Sequence, residues 1–126
     1  MVVQKIIHTF AAQNNKRDAM SHEEVLDRIK GVAASVLPLG STMYLYGSRA
    51  RGEAKPDSDW DLLILLNRDK LKRLEAEDLT FPFTDMGWDI GEDISARAYT
   101  RQQWEQGPHT MFYFNVEQDK KKIYES

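Results

Sequence analysis

The sequence predicts a single α/β domain in which helices flank a small β-sheet. Two apolar runs support this prediction: a short one at 43–46 and five consecutive aliphatic residues at 62–66. Aliphatic runs of this length between polar turn residues are typical of strands that are buried on both faces. Upstream, apolar residues recur at helical spacing from Val25 to Val36, which predicts a helix that covers one face of the sheet. A chain of 126 residues suits one domain with one core.

The first predicted helix follows residues 1–20, which we expect to form a loosely packed arm. Ser21 and Glu24 match a capping box, in which each side chain bonds a free backbone N–H of the first turn. Pro38 and Gly40 are expected to end this helix. Its charged residues are most simply a solvated face.

The remaining elements are read in chain order from apolar spacing, capping residues and turn residues. They are a strand at about 42–46, a helical turn at 49–53, a loop at 53–58, a strand at about 60–66, a surface helix at 68–78, a helix at 79–90 that ends at Gly91, a strand at 93–100, a short helix capped by Thr100, an apolar-aromatic segment at 111–116 and an edge strand at 120–124. Lysines in the last strand would discourage unwanted pairing. We expect Phe81, Phe83 and Trp88 in the core rather than as platforms for stacking bases.

Composition excludes several classes of function. With 17 basic and 20 acidic residues the net charge is −3, which argues against a grip on long nucleic acid but not against a nucleotide. Cysteine is absent, so the sequence has no disulfide framework, thiol nucleophile or thiolate zinc site. No apolar run approaches the roughly 20 residues of a membrane span, and no signal-peptide core is visible. We therefore expect a cytoplasmic protein with no membrane partner.

The chemistry is concentrated in residues 47–66, which read GSRARGEAKPDSDWDLLILL. Residues two apart in a strand point the same way, so Asp59 and Asp61 should project side by side with Trp60 facing away. Two adjacent carboxylates repel each other unless a cation offsets their charge. Carboxylate oxygens suit Mg²⁺, which proteins usually hold with one or two carboxylates plus substrate phosphates. The pair therefore predicts a magnesium site.

The same stretch offers groups that bind phosphate. Gly47 has no side chain, so backbone N–H groups can approach an anion closely, and Ser48 adds a hydroxyl. Arg49 and Arg51 add guanidinium groups suited to phosphate oxygens, although a structural ion pair is an equally good interpretation of Arg51. Ser58 is placed to orient the first aspartate by a hydrogen bond. A nucleoside triphosphate is the ligand that these groups predict.

The pattern G-S-x-A-R-G, five residues, then S-D-x-D-L runs without a gap from Gly47 to Leu62. It resembles the signature of the DNA polymerase β-type nucleotidyltransferases, and most of all their minimal members in bacteria and archaea. A lone D-x-D pair is common on solvated loops, but here several positions of different chemistry occur at fixed spacing. The resemblance implies a small mixed β-sheet flanked by helices. It also implies transfer of a nucleoside monophosphate, expected to be AMP from ATP, to a hydroxyl acceptor with two Mg²⁺ ions.

The resemblance further implies a third carboxylate on a neighbouring strand. Asp93 is the candidate and Glu92 the second choice, although an apolar residue usually stands where Glu92 precedes Asp93. Asp59, Asp61 and Asp93 would then be metal ligands and catalytic residues, with Asp93 helping to deprotonate the acceptor. The alternative for Asp93 is a solvated acid at a strand end.

Minimal members of this family are commonly paired with a small helical HEPN-type protein, as antitoxins that modify the partner toxin with AMP. The residues after Asp61 are needed to finish the sheet, so we expect an acceptor pocket that is open or completed by another chain, either such a partner or a second copy. A small-molecule acceptor such as an aminoglycoside remains an alternative. So do a binding module that keeps the fold and covers its partner without catalysis, and a nucleotide sensor.

Overall fold

A four-stranded mixed sheet forms the centre of the protein. The computed structural model describes residues 19–126, so the arm expected at 1–20 lies almost entirely outside the described residues. The elements are α1 (His22–Val36), β1 (Thr42–Tyr46), α2 (Ser48–Arg51), β2 (Trp60–Leu66), α3 (Arg73–Ile90), β3 (Ile94–Thr100), α4 (Arg101–Gln106), α5 (Met111–Asp119) and β4 (Lys121–Glu125). The strand order is β3-β2-β1-β4. β1 is antiparallel to β2 and β4, and β2 is parallel to β3. The expected mixed sheet flanked by helices is confirmed.

The two faces of β2 are buried in separate apolar clusters. Leu62, Ile64 and Leu66 point to the face covered by α1 and α3, where they join Ile29 and Phe83. The intervening leucines point to the other face, where Trp104 of α4 and Val116 of α5 cover them. Burial on both sides explains why β2 reads as an unbroken aliphatic run.

The predicted helix caps are present. The Glu24 amide donates to the Ser21 hydroxyl over 3.2 Å, and the Ser21 amide donates to the Glu24 carboxylate over 2.9 Å. Thr100 and Gln103 form the same reciprocal pair at the start of α4, with both bonds at 3.0 Å. These local bonds satisfy amides that have no partner inside the helix.

The structure differs from prediction around α3. The helices expected at 68–78 and 79–90 are one helix, which begins after Lys72 and continues through Pro82. Close packing against β3 holds it, since a Cβ at Gly87 would lie 2.7 Å from the Glu92 carbonyl oxygen. Phe83 is in the core as expected, but Phe81 and Trp88 are 54% and 41% exposed and pack edge to face against each other. A helix that rests on the sheet by one side leaves its outer residues in solvent. Within residues 19–126 no helix combines the length and apolarity needed to cross a membrane.

A carboxylate joins the two short helices on the other face. The indole N–H of Trp104 donates to Glu117 over 2.8 Å, and the Lys120 ammonium donates to the same carboxylate over 2.7 Å. Burial opposes ionisation of Glu117, but the hydrogen bonds from Lys120 and Trp104 outweigh it and lower the pKa of this carboxyl group. The ionised carboxylate therefore ties α5 to α4 beneath the sheet.

Candidate active site

The glycine turn after β1 meets the start of β2. In the antiparallel pairing Tyr46 lies opposite Asp61, so the residues that follow β1 lie beside the aspartate pair. Gly47 has φ 75° and ψ −160°, a backbone conformation that is essentially restricted to glycine. A Cβ on Gly47 would collide with a carboxylate oxygen of Asp61. The turn and this carboxylate are therefore in direct van der Waals proximity.

The two aspartates share one electrostatic environment. Asp59 is exposed and Asp61 is partly buried. Burial raises the pKa of the Asp61 carboxyl, and the nearby charge of Asp59 raises it further, while Arg97 and Arg51 act in the opposite direction. The two acids are close enough to repel each other, as expected for residues on one side of a strand. A bound cation would relieve this repulsion.

Ser48 begins a four-residue helix that points its N-terminus at this region. The amides of Ala50 and Arg51 donate to the Gly47 carbonyl over 3.0 and 3.1 Å, which closes the turn. The first amides of a helix have no acceptor within it. The start of α2 therefore follows directly on the Gly47 turn that lies against Asp61.

Arg49 is engaged elsewhere. Its guanidinium donates to the Ser58 carbonyl over 2.9 Å and stacks over the Trp60 ring at 4.6 Å. Trp60 faces the opposite side of β2 from Asp61, so Arg49 contacts the 53–59 loop on the face of the sheet that lies away from Asp61. The Ser58 hydroxyl accepts the Lys55 amide over 2.8 Å and closes a turn in that loop. In this structure the side chains of Arg49 and Ser58 both bond within the loop that presents the first aspartate, and their roles in nucleotide binding stay predictions.

Arg51 forms the structural ion pairs that the sequence left as an alternative. Its guanidinium bonds Glu53 over 2.7 Å and Asp119, at the end of α5, over 2.5 Å. Both bonds hold the protonated form and raise the pKa of Arg51. Its charge still acts on Asp61, but its donors are directed at these two carboxylates.

The third carboxylate is not assembled into a cluster with the first two. The Asp93 carbonyl accepts the Trp60 amide over 2.9 Å, which places Asp93 just before β3, and its side chain is exposed. Glu92, the second choice, accepts the Trp60 indole N–H over 2.9 Å, on the face away from Asp61. Among residues 19–126 no group of three or more acids, histidines or cysteines could hold a metal ion. Asp93 stays a prediction.

The residues of β3 that flank Asp61 are neutral or basic. The parallel register places Ser95 opposite Asp61, and Arg97 opposite Leu63. The Arg97 guanidinium lies 4.8 Å above the Phe112 ring, and its charge partly opposes the burial that raises the pKa of Asp61. Sequence reasoning missed Arg97. The side chains of a strand alternate between its two faces, so the sequence could show that Ser95 and Arg97 share one face of β3. The register that puts this face on the aspartate side could not be read from the sequence.

A cavity of about 540 Å³ opens at the β3 edge of the sheet, between side chains that belong to both faces. Aromatic side chains line much of it, namely Tyr99, Trp104, Phe112 and Tyr113. Phe112 is shared between this cavity and the stack beneath Arg97.

The residues present fit one divalent cation. Asp59 and Asp61 supply hard oxygen ligands on one side of β2, and the charge of Asp59 adds to the burial that raises the pKa of Asp61. A single Mg²⁺ is usually held in this way, with phosphates and water completing its shell. The side chain of a third acid, which a second ion would need, is not gathered here.

Comparisons with known proteins agree with this geometry. The model of the nucleotidyltransferase domain family matches residues 26–123. No curated protein matches the chain at a significant level. A chain of a toxin–antitoxin complex crystallised with AMP-PNP is similar in structure (TM-score 0.59, 17% identity, 80% of this chain and 73% of that chain).

Two further solved structures share the fold. One is the complex of a tri-AMPylated HEPN toxin with its MNT antitoxin from Shewanella oneidensis (TM-score 0.55, 14% identity, 84% of this chain and 74% of that chain). The other is a protein from Sulfolobus solfataricus described as a nucleotidyltransferase (TM-score 0.52, 19% identity, 86% and 90%). The family match spans most of the chain and includes the glycine turn and both aspartates, so this protein belongs to the nucleotidyltransferase domain family.

Proposed function

We propose that this protein is a Mg²⁺-dependent nucleotidyltransferase that moves AMP from ATP to a hydroxyl group of a partner protein. One observation carries the proposal: Asp61 lies against the Gly47 turn, with Asp59 beside it. Carboxylates and backbone donors thus meet at one place on the sheet. That combination suits a metal-bound triphosphate, which needs oxygen ligands for the ion and N–H donors for the phosphates.

The chain's residues divide the work of binding and transfer. The amides at the start of α2 and the Ser48 hydroxyl bind the β,γ end of the triphosphate, which directs the α-phosphate to the aspartates. Mg²⁺ held by Asp59 and Asp61 would offset the negative charge that builds on the phosphoryl and leaving oxygens. The acceptor oxygen attacks the α-phosphorus in line, the bond to pyrophosphate breaks, and Asp93 is the proposed acceptor of the hydroxyl proton.

The partner proposed is a small helical protein of the HEPN type. Structural neighbours of this chain are antitoxins in complexes with such toxins, one of which is AMPylated. The first aspartate, Asp59, is exposed, and the aromatic cavity at the β3 edge offers a surface on which another chain could rest. A protein hydroxyl is therefore the acceptor class that we favour over a small molecule.

Removal of the carboxylate pair tests this function. The double variant Asp59→Asn, Asp61→Asn should lose Mg²⁺-dependent ATP binding in calorimetry and transfer of labelled AMP to the co-expressed partner, while its far-ultraviolet circular dichroism stays unchanged. A matched double variant, Asp27→Asn with Asp69→Asn, neutralises two exposed acids outside the site and should retain both activities. Undiminished transfer by the first variant would refute the proposal.

A second candidate function is a cover that blocks the partner without catalysis. Ser95, rather than an acid, lies opposite Asp61 in the β2–β3 register, which favours this candidate. The same aspartate double variant separates the two functions in cells that express the toxin. A cover would still protect those cells, whereas an enzyme that acts by AMP transfer would not.

A further inference from the structure

Arg97 is placed on the aspartate side of the sheet by the β2–β3 register. Parallel pairing aligns Ser95 with Asp61 and Arg97 with Leu63. Alternation along β3 puts Ser95, Arg97 and Tyr99 on one face. Tyr99 packs in the cluster that contains Leu63, which identifies this face as the one that carries Asp61.

Aromatic packing directs the guanidinium towards the site. The Arg97 guanidinium carbon lies 4.8 Å from the centre of the Phe112 ring. Phe112 in turn meets Tyr46 edge to face, with ring centres 5.9 Å apart. Tyr46 is the residue opposite Asp61 in the β1–β2 pairing. The Arg97 guanidinium also lies within hydrogen-bonding reach of the Tyr46 hydroxyl.

The other two arginines that the sequence offered for phosphate are already engaged. Arg49 is bonded to the Ser58 carbonyl behind the sheet, and Arg51 is paired with Glu53 and Asp119. Within residues 19–126, Arg97 makes no salt bridge, and it is exposed. Its planar fork of donors matches phosphate oxygens, and the Tyr46 hydroxyl can engage only part of that fork, which has five N–H donors.

We propose that Arg97 is the phosphate-binding residue of this site, on the β3 side of the aspartate pair where no third acid is gathered. This inference rests on the proposed nucleotidyl transfer. The negative charge of the triphosphate is then offset by two groups. One is a divalent ion held by Asp59 and Asp61, and the other is the Arg97 guanidinium. The glycine turn holds its β,γ end, so Arg97 contacts the phosphate oxygens next to the aspartates.

Calorimetric titration with Mg²⁺ and α,β-methylene-ATP tests the role of Arg97 without turnover. Arg97→Gln should weaken binding about tenfold or more, the range expected when a charged hydrogen bond is lost. Arg97→Lys should recover part of the affinity, because it keeps the charge but loses the fork. Arg73→Gln, which removes an exposed arginine on α3, should bind like the wild type. The loss should shrink when AMP replaces the triphosphate analogue and vanish with adenosine.

The outcomes separate this inference from the proposed function. If the wild type binds the analogue and Arg97→Gln binds it equally well, the inference about Arg97 is wrong and the proposed function stands. If the wild type does not bind the analogue, the proposed function is wrong and Arg97 has no phosphate to bind. Where Arg97→Gln shifts the melting curve, Arg97→Met keeps an unbranched side chain above Phe112 and serves in its place.

Discussion

Replacement of Gly47 by alanine tests the contact on which the proposed site depends. Two costs add at this position. A residue with a side chain at φ 75° and ψ −160° is strained by about 1–3 kcal/mol. The new Cβ would also collide with the Asp61 carboxylate, and moving that side chain off its rotamer costs about 1 kcal/mol. Gly47→Ala should therefore lower the free energy of unfolding by about 2–4 kcal/mol.

Gly52 provides a matched control. Its φ of 74° is nearly the same, but its ψ of 22° lies in the left-handed helical region, and a Cβ there would meet nothing within 4 Å. Gly52→Ala should therefore cost only about 1–2 kcal/mol. Urea unfolding followed by circular dichroism measures both values, and nucleotide titration should show a loss of binding for Gly47→Ala alone.

A double-mutant cycle isolates the part of the cost that comes from Asp61. In an Asp61→Ala background the collision is absent, so Gly47→Ala should cost about 1 kcal/mol less than in the wild type, while the backbone strain remains. Equal costs for Gly47→Ala and Gly52→Ala, with additivity in the cycle, would show that Gly47 and Asp61 do not touch and would refute the geometry of the site.

Three further predictions concern the charges around the sheet. The pKa of Asp61 is raised in the folded protein, so ionisation of this carboxyl group destabilises the fold as pH rises through the folded-state pKa. Asp61→Asn should therefore raise the melting temperature at pH 7 and leave it unchanged at pH 3. A lower melting temperature at pH 7 would contradict this. Arg49→Met should lower the free energy of unfolding in urea by about 1.5–3 kcal/mol, because the Ser58 carbonyl loses a charged donor. A decrease below about 0.5 kcal/mol, as for an ordinary surface substitution, would argue against a role of Arg49 in holding the loop. The pKa of Glu117 is lowered in the folded protein, so the stability that its ionised carboxylate provides is lost as pH falls through the folded-state pKa. Glu117→Gln should therefore lower the melting temperature at pH 7 but not in acid. Lys120→Met removes the partner cation and should also lower the melting temperature at pH 7.

The elements could be predicted because their signals are local. The capping residues Ser21 and Thr100 fix helix starts through bonds three residues away, and the aliphatic run of β2 follows from burial on both faces. The interpretation of 68–90 as two helices was wrong because the change from a charged segment at 68–78 to an aromatic one at 79–90 was taken as a boundary, whereas one continuous helix packs against the sheet. The exposed Phe81 shows the same limit, since an aromatic residue alone does not reveal which side of a helix meets the core.

The sequence by itself determined the family and the aspartate pair, because the spacing from Gly47 to Asp61 is continuous in the chain and a strand sets the direction of each side chain. Only the tertiary structure decided how the charges are used. Pairing of β3 with β2 brought Arg97 towards Asp61, and the fold directed Arg49 to the back of the loop. These contacts join residues that are distant in sequence or lie on opposite faces of a strand, and the strand register that creates them has no local signature.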